Sequence, residues 1–317
     1  MIDKSIIDEM YKEGYRIAQY GIYSKKSKPY KTFKIPVDAG LGCPNKENGG
    51  CIFCPKMGRP IAVKYCNVKY PLKEQIEMQM KKQKDKGIEK FYIYFYPGTN
   101  TYADLETLKE LWDFALSYDD VIGLSIGTRP DCLEKEKLDI LGEYVKEGYE
   151  IWIDLGIQTM HQKTLELLNR KHNVSDTIKA IKECKKRNIL VCGHVILGLP
   201  NETWNEMMET ARILSILGID ALKIYPLVVV KNTKLEEMYW RGEYRTLDEK
   251  QYINLVCDFL ENLSPHVLIQ RISKDKVPED IKVSPEWTLG RLRILNEVNK
   301  ELERRNSRQG AKYTYDT

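Results

Sequence analysis

Ile189-Leu-Val-Cys-Gly-His-Val-Ile-Leu197, then Gly198-Leu-Pro-Asn-Glu202, then Thr203-Trp-Asn-Glu206, writes out one structural unit in order. A nearly continuous apolar run rich in β-branched residues suits a strand buried on both faces, as in a parallel sheet. Gly, Pro and Asn then favour a turn. Thr203 and Glu206 are spaced as a capping box, opening a helix in which Met207, Ala211 and Leu214 share a face. The chain returns with a second run, Ala221-Leu-Lys-Ile-Tyr-Pro-Leu-Val-Val-Val230. Strand, turn, helix and strand in this order form a β-α-β unit.

The same grammar extends outward. Strand-like runs occupy 32–37, 91–96, 121–126 and 151–155. Helical spacing fills the intervals: Leu72, Ile76 and Met80; Leu105, Leu108, Leu111, Trp112 and Ala115; Leu138, Leu141 and Val145. After the first unit the strands recur every roughly 30–40 residues, the length of a β-α repeat. Six repeats predict an α/β fold, an incomplete (β/α)6 TIM-like barrel, with a doubly wound sheet as the competing arrangement. Beyond residue 231 the alternation stops. Asp248–Leu263 reads as a helix with Tyr252, Leu255, Val256 and Phe259 on one face. A short apolar run, 267–270, and a last helix with Leu292, Leu295, Val298 and Leu302 follow. The expected organisation is a lead over 1–30, the barrel over 31–230 and an α-rich C-terminal extension over 231–317.

With 317 residues, 42% hydrophobic and 30% charged, the chain can bury a full-size core. No stretch approaches the ~20 apolar residues of a membrane span, and the first residues read as no signal peptide, so no membrane partner is expected. Eight cysteines are too sparse for a disulfide scaffold and point to a reducing, cytoplasmic setting. The net charge of +4 says little about partners. Two basic stretches, Lys25, Lys26, Lys28, Lys31 and Lys34, then Arg291, Arg293, Arg304, Arg305, Arg308 and Lys312, suit either a phosphate backbone or ordinary solvated faces.

Chemistry concentrates after the first strand, in Asp38-Ala-Gly-Leu-Gly-Cys43-Pro-Asn-Lys-Glu-Asn-Gly-Gly-Cys51-Ile-Phe-Cys54. Three thiolates from one Gly-rich loop can hold three irons of a [4Fe–4S] cube and leave the fourth open to a small molecule. Structural zinc is the alternative. With no histidine before residue 161 and no second Cys-x2-Cys pair, zinc would have to borrow Cys66 or something distant. The other cysteines, Cys132, Cys184, Cys192 and Cys257 with Cys66, read as buried small hydrophobes, Cys132 and Cys192 lying near strand ends. In parallel β/α architectures, working residues gather at the C-terminal ends of strands. Those ends here are the cysteine loop, 96–102, 127–131, 156–159, 198–202 and 225–226, so they should converge on one mouth.

Taken together these segments resemble the radical SAM superfamily, in the branch of YhcC and YtqA, related to the radical SAM half of Elongator's catalytic subunit. The matching stretches include Asp38-Ala-Gly, the three cysteines with Phe53, Thr99-Asn-Thr-Tyr102, Gly127-Thr-Arg-Pro-Asp-Cys132, Leu155-Gly-Ile-Gln-Thr159, Asn169-Arg170, His194-Val-Ile-Leu-Gly-Leu-Pro200, Lys223-Ile-Tyr-Pro-Leu227, Pro285-Glu-Trp287 and Gln309-Gly310. The resemblance implies a [4Fe–4S] cluster on Cys43, Cys51 and Cys54, S-adenosylmethionine on the open iron, and reductive cleavage to a 5′-deoxyadenosyl radical fed by an external one-electron donor. It places the backbone of Pro97, Gly98 and Thr99 at the methionine amino group, Gln158 and Arg170 facing the cofactor, and Ile196 and Gly198 behind the adenine. Departures stand beside it. Gly127 replaces a glutamate, His194 replaces an aspartate, Pro97-Gly98-Thr99-Asn100 replaces a Gly-Gly-Glu stretch, and seven residues separate Cys43 from Cys51.

For substrate, the resemblance implies tRNA. Some members of the branch are associated with converting a carboxymethylaminomethyl group on the wobble uridine to aminomethyl. The basic stretches would then grip phosphates, and Tyr92, Tyr94, Tyr96 and Tyr102 could offer stacking surfaces. A radical SAM enzyme of a small metabolite or peptide, and a cluster- or zinc-stabilised nucleic-acid-binding protein without catalysis, are the alternatives.

Overall fold

A computed structural model of the chain describes residues 1–55, 65–273, 278, 280–287 and 290–315. The strands are β1 (Thr32–Val37), β2 (Lys90–Phe95), β3 (Val121–Thr128), β4 (Glu150–Gln158), β5 (Leu190–Leu197), β6 (Ala221–Pro226), β7 (Val229–Val230), β8 (Leu268–Arg271) and β9 (Lys282–Ser284). The helices are α1 (Lys4–Lys12), α2 (Tyr20–Ser27), α3 (Leu72–Lys84), α4 (Leu105–Leu116), α5 (Lys135–Lys146), α6 (Gln162–Leu167), α7 (Val174–Lys185), α8 (Trp204–Ile216), α9 (Lys234–Trp240), α10 (Glu249–Glu261) and α11 (Arg291–Arg304).

Seven strands pair in the order β1-β2-β3-β4-β5-β6-β8, parallel throughout, and curl into a half-barrel. Period-two alternation sets the two faces. Along β4, Ile151, Ile153 and Leu155 join the core that Ile76, Leu108, Trp112, Leu138, Leu141, Ile181 and Leu214 of the surrounding helices complete. Trp152, between them, points the other way, into a second cluster with Tyr92, Leu190, Cys192, Ala221 and Leu268. Ile7, Met10, Ala18 and Tyr23 seal that inner cluster, so the N-terminal lead forms the barrel's floor. Its Gln19 bridges to Ile269, extending the sheet past β8.

The capping box at Thr203 and Glu206 is present and opens α8, and Asp248 with Gln251 caps α10 in the same way. Three details differ from expectation. The run 267–270 belongs to the sheet as its seventh strand, although no further β-α repeat announces it. The run 221–230 is two strands, because the chain leaves the sheet after Pro226 and Val229–Val230 pairs antiparallel with β9. In α11 the buried stripe is Ile294, Val298 and Leu302, four residues apart, while Leu292 is exposed.

The C-terminal segment closes the floor. Gln309, fully buried, accepts from the Ala18 N–H at 3.1 Å and donates to the carbonyls of Ser264 (2.9 Å) and Val267 (2.7 Å), while its own N–H donates to the Arg16 carbonyl. Gly310, with φ +82°, lies where a Cβ would come 2.9 Å from Pro265.

Candidate functional site at the barrel mouth

β1 delivers the chain into the cysteine loop, and Gln75 on α3 brackets the exit, accepting from the Asp38 N–H at 2.8 Å and donating to the Asp38 carbonyl at 2.9 Å. Cys51 is buried, and Cys43 and Cys54 are half-buried. Asn45, almost wholly buried, donates to the Asn169 carbonyl at 2.7 Å and to Cys51 Sγ at 3.4 Å. Asn169, in the left-handed region at φ +52°, returns bonds to the carbonyls of Asn48 (3.0 Å) and Gly50 (2.7 Å). Ile52 donates its N–H to Leu168 and accepts from the Leu235 N–H. A Gly-rich loop with a high conformational entropy is thereby held on one side by the end of α6 and on the other by α9.

Arg170 is buried rather than a helix-surface charge. Its Nη1 donates to Cys51 Sγ at 3.5 Å and its Nη2 to the Gly156 carbonyl at 2.8 Å. A Cβ on Gly156 would stand 2.7 Å from that Nη2, so any side chain there would displace the guanidinium. Gln158 is buried beside it at φ +71°, after an irregularity in the β4–β5 register. The Pro97-Gly98-Thr99 turn packs on the cysteine loop: Thr99 donates its N–H to the Gly42 carbonyl at 3.0 Å, and a Cβ on Gly98 (φ +98°) would meet the Leu41 carbonyl oxygen at 2.7 Å. Ile196 shares one apolar wall with Cys51, Phe53, Leu168 and Leu199. Gly198 sits in a tight turn at φ +77°, its carbonyl accepting from the Tyr244 hydroxyl at 2.8 Å. Nine of the ten residues expected at the site lie on the cysteine loop or on the strand ends around it, and the tenth, Arg170, follows α6.

Two side chains to which the sequence assigned no role join the site. Asn100, fully buried, donates to the carbonyls of Phe95, Pro97 and Gly127, tying the ends of β2 and β3. At the place of the missing glutamate, a Cβ on Gly127 would come 3.2 Å from the Phe95 carbonyl oxygen, with Asn100 Nδ2 at an ordinary 3.8 Å. Arg129 is buried against Asp131, to which it donates from Nε (2.9 Å) and Nη2 (2.7 Å). Burial opposes its charge, but the Asp131 carboxylate outweighs that and holds the guanidinium above its ordinary range. Arg129 Nη1 and Arg170 Nε are both buried with no hydrogen-bond partner among the described residues. Buried donors of this kind call for an acceptor. His172 lies between the two arginines electrostatically, and burial first, then their charges, push its pKa down to about 2, keeping it neutral.

Cys66, the ligand a zinc site would have borrowed, is fully buried with its thiol on the Tyr96 carbonyl at 3.1 Å and pushed up to about 12 by burial. Burial likewise raises Cys132, Cys184 and Cys257 to about 12, and Cys192 further, as expected of inert packing residues.

Most of the basic residues in the two stretches are engaged within the chain. Lys26 pairs with Glu9 and Glu13, Lys28 with Glu150, and Lys34 points into the barrel. Arg293 pairs with Glu249, Arg304 with Glu301, Arg305 with Glu301 and Asp258, Lys312 with Glu261, and Arg308 covers the Tyr11 ring. The Arg291 side chain lies outside the described residues. Among the tyrosines, Tyr92 is core, Tyr94 and Tyr96 stack on each other at 5.4 Å, and Tyr102 is exposed.

The Radical SAM superfamily model matches residues 39–214, and the Radical_SAM C-terminal domain matches 219–304. An uncharacterised protein of Methanocaldococcus jannaschii is 75% identical over 98% of the chain and 97% of its own length. The uncharacterised protein YtqA of Bacillus subtilis is 36% identical over 89% and 88%. A tRNA uridine(34) acetyltransferase of M. jannaschii is 33% identical over 49% of the chain, but only 28% of that relative is covered. In fold, Elp3 of Methanocaldococcus infernus superposes with a TM-score of 0.67 at 21% identity, over 89% of this chain and 65% of that one. No described helix is long and apolar enough to cross a membrane. Three thiols in one clamped loop, two buried guanidinium donors without acceptors and an apolar wall fit a cluster and an S-adenosylmethionine carrying a carboxylate and an adenine. The half-barrel, its mouth and the family match converge: the chain is a radical SAM enzyme of the YtqA and YhcC branch, with a [4Fe–4S] cluster and S-adenosylmethionine as cofactors.

Proposed function

We propose that Cys43, Cys51 and Cys54 hold three irons of the cluster and that the enzyme acts, in the cytoplasm, on the side chain of a tRNA wobble uridine, drawing its electron from an external donor. When bound, cluster and cofactor supply one-electron cleavage of the S–C5′ bond, giving a 5′-deoxyadenosyl radical that removes a substrate hydrogen. The chain's residues position these groups. Arg170 carries this reading: a buried guanidinium bonded both to Cys51 Sγ and to the end of β4 couples the cysteine loop to the barrel and keeps Nε for a carboxylate. Arg129 Nη1 offers a second donor. The backbone of Pro97, Gly98 and Thr99 borders the same loop and serves the amino group, Gln158 stands beside Arg170, and Ile196 with Gly198 backs the adenine. The wall of Phe53, Ile196 and Leu199 keeps water from the reacting centre.

The similarity to the tRNA uridine(34) acetyltransferases supports the tRNA assignment. A small metabolite or peptide is the second reading, favoured by the engagement of the basic stretches within the chain. The test is anaerobic reconstitution with iron and sulfide, then incubation with dithionite and S-adenosylmethionine, following 5′-deoxyadenosine with and without tRNA. Product that requires all three cysteines and a changed wobble nucleoside by mass spectrometry support the proposal. Product with an unchanged tRNA moves it to the second reading, and none from a fully loaded cluster refutes it.

A further inference from the structure

Beneath the mouth, the barrel interior holds charged side chains that the cofactor reading leaves unused. Asp154, midway along β4, is fully buried, and Lys223 Nζ, Ser125 Oγ and His194 Nε2 (2.9 Å) converge on its carboxylate. Lys34 from β1 stands 3.8 Å from Asp154 Oδ2, and its hydrogen bonds go instead to Ser125 Oγ at 3.1 Å and Gln270 Oε1 at 3.4 Å. Trp152, Tyr94 and Tyr20 present ring faces to the Lys34 ammonium at 5.2, 5.8 and 5.9 Å. Aromatic faces hold an ammonium without cancelling its charge.

Two lysines thus share one carboxylate. Gln270, bonded through Oε1 to Lys34, keeps a buried Nε2 donor with no partner among the described residues. A buried excess of cations and an unused buried donor at the same place are both relieved by one incoming anion. Below, the apolar floor closes the space. Above, Tyr94, Tyr96 and Tyr225 are partly exposed, and the side chains of Lys34 and His194 keep 19% and 18% of their surface. Ile196, in the wall beside Cys51, is two residues up β5 from His194, about 7 Å of strand. Asp154, Cys192 and His194 bring donor atoms within 4.8 Å of one another, as a metal would need. Lys223 already occupies that carboxylate, so the place suits an anion rather than a cation.

We propose that Lys34, Gln270, Lys223 and His194 form an oxyanion subsite at the base of the substrate cavity, which takes a carboxylate or phosphate group of the substrate and leaves the remainder facing the cysteine loop. This rests on the function proposed above and takes the barrel interior as the substrate cavity, and it would select side chains that end in an acidic group.

The test uses the reconstituted full-length protein, melted at constant ionic strength in chloride, in acetate and in inorganic phosphate. Neither S-adenosylmethionine nor tRNA is present, so the outcome is independent of the 5′-deoxyadenosine assay. Acetate or phosphate should raise the melting temperature by about 2 °C over chloride, and the anion that does so names the group. Lys34→Met, which removes one of the two cations that share Asp154, and Gln270→Glu, which supplies the anion from within, should each abolish the rise. If Lys34→Met does not fold, Gln270→Glu decides. An equal rise in the variants, or none in the wild type with either anion, overturns the proposal.

Discussion

Asp154→Asn isolates the electrostatics of the barrel interior. The substitution keeps the shape of the side chain but leaves Lys223 and Lys34 with no counter-charge, and Asp154 has no exposed surface through which water could compensate. At an effective dielectric of about 20, unit charges separated by the 3.8 Å of Lys34 and Asp154 attract by about 4 kcal/mol. Removing one partner of a buried pair typically costs about 3–5 kcal/mol. In a chain of this size, with roughly 2.1 cal/mol/K of unfolding entropy per residue, that lowers the melting temperature by about 5–7 °C. The variant should regain stability as pH rises toward 10, because deprotonating a lysine relieves the uncompensated charge. In the wild type, burial opposes the Asp154 charge, but Lys223 and then Lys34 outweigh it and hold the carboxyl well below its ordinary range. A depressed folded pKa means this stabilisation is complete at neutral pH and is lost only as pH falls below about 4, toward the folded value. Thermal scans from pH 3 to 10 on both proteins measure this, and Asp154→Asn/Lys223→Met should recover part of the loss. A single variant that melts within about 2 °C of wild type at pH 7 would refute the reasoning.

Four further outcomes follow from the mouth. Cys51→Ala should reconstitute with less iron, lose the cluster's visible absorbance and form no 5′-deoxyadenosine. Arg170→Met should weaken S-adenosylmethionine binding by about 10- to 100-fold, as removal of outer-shell partners does at metal sites, with Arg170→Lys recovering little because the fork geometry is gone; titration of the cluster's electron paramagnetic resonance signal reads both. Gly98→Ala places a Cβ 2.7 Å from the Leu41 carbonyl at φ +98° and should cost about 1–3 kcal/mol, measurable as a lower melting temperature. His172, whose folded pKa of about 2 lies far below the ordinary histidine value, makes stability fall as pH drops below about 6.5, by up to about 1.4 kcal/mol per unit; His172→Gln should flatten that slope in melting scans between pH 7 and 5.

The parallel strands were legible because burial on both faces writes itself as uninterrupted apolar sequence, as at Ile189–Leu197. The cysteine loop was legible because its ligand spacing is local. β8 was not recognised as part of the sheet: four residues isolated from the β-α rhythm carry no sign of the strand they will join. In α11 two stripes compete, one through Leu292 and Leu295 and one through Ile294, Val298 and Leu302, and only the packing partner chooses between them. The clamping roles of Asn45, Asn169 and Leu235 were not legible because those side chains and backbone groups act on partners distant in sequence. The pairing of the basic stretches was hidden for the same reason, since the acid beside Lys28 is Glu150, on β4.

Gln309 carries a consequence for the order of events in the cell. The floor that Ile7, Met10 and Ala18 provide is fastened by hydrogen bonds spanning 291 residues, from Arg16 to Ser307 and from Ala18 to Gln309. Helices α1 and α2 must therefore wait for residues 307–309, synthesised long after them, before their seat is locked. Until then a nascent chain has an unlatched barrel with an apolar underside. Removing residues 307–315 would hold the protein in that unlatched condition, with its mouth already written and its base open, a form that chaperones and proteases should recognise.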